Sequence, residues 1–225
     1  MNLLLKTKTA ERLFTLALLL LTALPARSQD EGTNLFRGII SAGPVLAQID
    51  GDGPAGYDYL GYRVGFGTFF FVKKRWLSTG LEFHYASRGS RTAFYEFASG
   101  EAGSFRFSAD YVEVPLLLNF HDKDRLMVRA GVMPAFPVRS NLDFETVQGA
   151  KVEGPPACLT NDLARFDLSL VAGVYFIMKK RIGVGVNYSR SLTSARPYCL
   201  GDTRTTGQYH KVINAGVIYL LGMGK

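Results

Sequence analysis

The amino-acid sequence predicts an all-β protein, an eight-stranded antiparallel up-and-down transmembrane β-barrel with short periplasmic turns and long extracellular loops. Three observations lead there. Period-2 alternation of apolar and small or polar residues recurs along the chain, while helical periodicity is absent. The alternating segments run to about 12 residues, longer than the usual globular strand and long enough to cross a bilayer at a tilt. Tight and long connections follow one another in strict alternation.

The first 28 residues stand apart. Lys6, Lys8 and Arg12 precede an apolar run from Leu13 to Leu24, and Ala26-Arg27-Ser28 offers small residues where a signal peptidase reads. Twelve apolar residues reach only about 18 Å as a helix, too short to span a membrane. Residues 1–28 are therefore expected to be a cleavable signal peptide, and residues 29–225 the barrel domain. The leader holds four basic residues and one acidic one, so its removal lowers the formal charge from +7 to +4. The remaining basic residues are scattered, which argues against a nucleic-acid surface.

Strands are expected near residues 36–48, 60–72, 76–88, 108–120, 126–138, 165–178, 181–193 and 209–221. In the second, Tyr62, Val64, Phe66, Thr68 and Phe70 share one face, and Gly61, Arg63, Gly65 and Gly67 the other. In the third, Leu77, Thr79, Leu81, Phe83 and Tyr85 oppose Ser78, Gly80, Glu82 and His84. The fourth sets Val112, Val114, Leu116, Leu118 and Phe120 against Tyr111, Glu113, Pro115 and Asn119. The seventh sets Ile182, Val184, Val186 and Tyr188 against Gly183, Gly185, Asn187 and Ser189.

Aromatics gather toward the ends of the apolar faces, as in the interfacial girdles of membrane barrels. Polar turns follow strands two, four and six, at Lys73-Lys74-Arg75, His121 to Arg125 and Lys179-Lys180. Loops of roughly 11 to 26 residues follow strands one, three, five and seven. An even strand number lets the sheet close without an edge. A soluble eight-stranded barrel would turn its apolar faces inward and leave a glycine-rich exterior, a poor surface for solubility.

Several segments carry a resemblance. Asp110-Tyr111-Val112-Glu113-Val114-Pro115-Leu116-Leu117-Leu118 is similar to the YxExPLLL strand of the PorT-like outer-membrane β-barrel family of Bacteroidota. Leu81 to Gly89, Arg129 to Pro134, Phe166 to Gly173 and Val186 to Leu192 are similar in kind. The resemblance implies an outer-membrane location, the membrane's lipids and the barrel assembly machinery as partners, and a link to protein secretion. Family barrels tend to end on an aromatic. This sequence runs past Tyr219 to Leu221-Gly222-Met223-Gly224-Lys225.

With the glycine-bearing faces inward, mid-strand charges meet in the lumen. Arg37, Arg63 and Arg129 balance Glu82, Glu113 and Asp167, with His84 beside Glu82. Such balance is what a filled eight-stranded barrel requires. Arg63 is expected close to His84 or Glu82, with Glu113 in the same cluster. Of the histidines, His121 is expected in a periplasmic turn and His210 at the start of the last strand. His84 is then the single candidate for a catalytic base, and a structural role suits it better. Asp50-Gly51-Asp52-Gly53 lacks the spacing of a calcium loop and reads as an acidic turn. No metal or cofactor site is expected.

Cys158 and Cys199 fall in loops on the same side of the barrel, in a chain bound for an oxidising compartment, and are expected to form a disulfide. The functional expectation is a non-enzymatic outer-membrane barrel with a plugged polar lumen, in a structural, surface-interaction or secretion-accessory role. The alternative is a small channel or ligand-binding barrel, or a lipid-modifying enzyme that uses lumen residues.

Overall fold

The computed structural model describes residues 36–50, 56–73, 76–96, 102–123, 125–146, 163–179, 181–195 and 207–221. The leader, Cys158 and Cys199 lie outside the described residues, as do Gly51 to Gly53. The strands are β1 (Phe36–Asp50), β2 (Tyr59–Lys73), β3 (Leu77–Glu96), β4 (Ala102–Glu113), β5 (Leu116–Asp122), β6 (Leu126–Thr146), β7 (Asp167–Met178), β8 (Ile182–Ser191) and β9 (Tyr209–Leu220). All neighbours are antiparallel. β1 pairs with both β2 and β9, and β2 pairs with β3, so the sheet returns on itself as a ring.

The nine strands make eight staves, because β4 and β5 are two pieces of one. Both lie between β3 and β6, and the register continues unshifted from His84↔Glu113 to Leu81↔Leu116. The interruption falls at Val114-Pro115, where proline has no N–H to give to a ladder. Val114 N still donates to the Pro134 carbonyl at 2.8 Å, and the Pro115 carbonyl accepts from Glu82 N at 3.1 Å.

Alternation sets which face meets what. Val112, Leu116, Leu118 and Phe120 are exposed on the outside, while Tyr111, Glu113, Leu117 and Asn119 are buried inside. Outer aromatics pair near both rims: Phe36 with Phe70 and Trp76 with Phe120 at the periplasmic end, Tyr62 with Tyr85 and Phe136 with Phe166 at the other. The periplasmic turns are tight. Arg125 N donates to Asp122 O at 2.9 Å and Arg181 N to Met178 O at 3.2 Å, with Lys123 and Lys179 at φ of 46° and 47°. That positive φ is the backbone of the primed hairpin turns.

The extracellular connections differ from expectation. The loop expected after residue 88 is largely strand: β3 continues to Glu96, β4 begins at Ala102, and β6 runs to Thr146. Ser90↔Phe107 and Phe107↔Leu142 carry the three strands past the rest of the barrel. The reason is the aromatic content of that stretch, with Phe94, Tyr95, Phe105 and Phe107, which suits a pleated surface.

Inside, apolar groups occupy both ends. Ile39, Phe69, Met127, Ile177 and Ile218 pack at the periplasmic end. Ile49, Phe107, Ala109 and Tyr111 pack at the extracellular end, with Leu142 and Leu163 against them. Most buried charges lie between these two layers.

Candidate functional site in the barrel interior

The central charges form one connected chain across five staves. Arg129 (β6) is hydrogen-bonded to Glu82 (β3). Glu82 Oε2 lies 3.0 Å from His84 Nε2. Arg63 (β2) places Nη2 2.6 Å from His84 Nδ1 and Nε 3.0 Å from Glu113 (β4). Glu113 is also paired with Arg88 (β3), whose Nη1 reaches Asp167 (β7) at 3.0 Å. Three arginines thus meet three carboxylates, all buried. Removing charges from water is costly, and this mutual pairing offsets it.

Register explains the meeting. Arg63 lies opposite Ala86, and His84 opposite both Gly65 and Glu113, so three neighbouring strands present long groups at one height. Gly65 makes room: a Cβ there would stand 1.8 Å from His84 Cδ2. Asp167 collects further donors, Ser191 at 2.9 Å, Thr193 at 3.1 Å and Ser169 at 3.3 Å.

The protonation of His84 follows from its partners. A guanidinium only donates, so Nδ1 accepts from Arg63 and the ring proton sits on Nε2, facing Ser41 Oγ at 3.2 Å and Glu82. In that tautomer Nε2 cannot take the Ser41 proton. His84 therefore does not activate Ser41 as a nucleophile in this arrangement.

Arg37 stands elsewhere, its guanidinium 5.0 Å over the Phe71 ring near the periplasmic end. It lies across the sheet from Phe69, about two turns of the pleat from the central height. His121 also departs from expectation. It is the last inward residue of β5, bonded to Ser78 at 2.8 Å and stacked on Phe69, because β5 extends one residue beyond it. His210 begins β9 as expected and meets the Tyr111 hydroxyl at 3.1 Å.

Sequence reasoning missed Arg88, which is fully buried. It shares the parity of Glu82 and His84 but sits at the limit of the expected third strand, where a loop was expected to begin. The facing wall was missed too. Asn187 donates to Tyr175 Oη at 2.5 Å and to Asn214 Oδ1 at 3.3 Å, and Asn214 donates to the Pro44 carbonyl at 2.9 Å. A cavity lined by Ser41, Glu82, His84, Arg129, Asn187 and Asn214 separates the walls. Among the described residues no group of three or more His, Cys, Asp or Glu side chains is placed to hold a metal.

A family model described as "Outer membrane protein beta-barrel domain" matches residues 39–195, well over half of the chain. The chain belongs to that family. Its outward apolar faces are those of an outer-membrane barrel. Among solved structures, the attachment invasion locus protein Ail of Yersinia pestis is similar, at 12% identity over 82% of this chain and 98% of that one, with a TM-score of 0.45. Neisserial surface protein A is also similar, at 10% identity over 84% and 99%, with a TM-score of 0.44. No curated protein matches the chain.

Proposed function

We propose that this family barrel is non-enzymatic, that its own side chains plug its polar lumen, and that it serves a structural, surface-interaction or secretion-accessory role. The observation that carries the reading is the layering of the interior. A charge-balanced belt lies between two apolar packings, one of Ile39, Phe69 and Ile218 and the other of Ile49, Phe107 and Tyr111. An eight-stranded barrel is just wide enough for side chains to fill it. The likeness of Asp110 to Leu118 to a PorT-like strand supports the secretion-accessory branch. The basic start and apolar run before Ser28 support export by a cleaved leader.

Planar-bilayer recording of the refolded protein tests the plug. The expected result is a silent membrane at all voltages, and a steady open level would overturn it. The Cys158–Cys199 bridge belongs to the same reading. Alkylation without prior reduction should modify neither thiol, and mass addition at both would remove the bridge.

A further inference from the structure

The outer surface carries a charged constellation that the lumen network does not explain. Arg190 (β8) and Lys211 (β9) lie directly opposite one another in the ladder, and both are outward by parity. Like charges in that position repel. Asp50 of β1 answers only one of them, at 2.5 Å from Lys211 Nζ. Around Arg190 the outward neighbours are Tyr188 and Leu192 along the strand and Leu170 across from it, all exposed to the surroundings. Among the described residues no hydrogen bond or ion pair reaches Arg190. A guanidinium set in an apolar outer face at the edge of a bilayer needs an anion.

The place and the chemistry select that anion. Arg190 stands one outward position above Tyr188, at the extracellular rim of the apolar face, where lipid headgroups begin. Tyr57, from the connection before β2, lies near Tyr188, Lys211 and Asp50. The patch therefore offers a planar two-pronged donor opposite an ammonium group that is paired with Asp50, with two phenols nearby. That set matches a phosphate monoester or diester, which arginine grips with two parallel hydrogen bonds.

We propose that Arg190 and Lys211, with Tyr57 and Tyr188, form a binding site for the phosphate group of an outer-leaflet lipid. The site is on the outer wall, so it stands whether or not the lumen conducts.

The test uses the full barrel in dodecyl maltoside micelles, titrated with a bis-phosphorylated glucosamine lipid and with the same lipid after phosphatase treatment. Binding is read by native mass spectrometry. The phosphorylated form should bind about tenfold tighter, the size expected of charge-assisted contacts at a bilayer surface. Arg190→Gln or Lys211→Gln should abolish that preference. Arg181→Gln should keep it, because Arg181 is at the periplasmic end beside Tyr219. Heat-modifiable gel mobility confirms that each variant is folded, which substitution of these surface residues should not disturb. Equal binding of the two lipids, a preference that survives Arg190→Gln, or displacement by equimolar inorganic phosphate would overturn the proposal.

Discussion

The two walls of the lumen solve the same problem differently. On the β2–β3–β4 side the inward groups are long and ionised: Arg63 and Arg88 both pair with Glu113, and Glu82 lies against His84. On the β7–β8–β9 side they are short and mostly neutral, with Ser169, Ser191, Asn187 and Asn214 joined by hydrogen bonds. The charged wall reaches across, through Arg88 to Asp167 and through Arg129 to Glu82. A barrel interior of fixed width cannot hold long side chains from every strand. Half the circumference therefore supplies length, and the other half supplies glycine and amides.

Substitutions can break this contrast, with effects that shrink from one wall to the other. Arg88→Leu should cost the most, about 3–5 kcal/mol, because it leaves both Glu113 and Asp167 short of a cation. The urea midpoint of the heat-modifiable transition reads it. Arg63→Ala should cost less, since Glu113 keeps Arg88; equal losses would mean that the two arginines act as one unit. Gly65→Ala should cost about 1–3 kcal/mol, because the new Cβ would meet both the His84 ring and the Phe83 carbonyl. Asn187→Leu, on the neutral wall, should cost about 1–2 kcal/mol for the hydrogen bonds to Tyr175 and Asn214. Val112→Leu on the lipid face should stay within about 0.5 kcal/mol. If Asn187→Leu proved as damaging as Arg88→Leu, the division of labour between the walls would be wrong.

The same contrast explains what the sequence reveals. Charges of opposite sign at matching parity announce one another, so Arg63, Glu82, His84 and Glu113 can be grouped from alternation alone. Arg88 escapes because parity holds but the strand limit is drawn too early, the aromatic stretch beyond it resembling a loop. Neutral amides carry no such signal: Asn187 lies on the inward face by alternation, yet nothing in its neighbours' charges marks it as a partner for Tyr175. Arg37 fails for the opposite reason. Its parity and charge are right, but no residue pattern reports height along the axis, and height places it beside Phe71 rather than in the belt. The eight staves and their inside–outside assignment were legible. The break at Val114-Pro115 was not separated from its strand, since a proline that leaves the register intact leaves the alternation intact too.

That break has a mechanical consequence. Seven staves are single strands, whereas the eighth is split at a joint where Pro115 and, on the neighbouring strand, Pro134 can donate nothing to the pairing. Above the joint stand the prolonged β3, β4 and β6, which project past the other strands. A load applied to that projection from outside would travel down eight rods of unequal stiffness and concentrate at the one that can flex. The Val114 and Glu82 amides, each bonded there to a proline carbonyl rather than within a regular ladder, would be the first in the wall to yield to solvent exchange under strain.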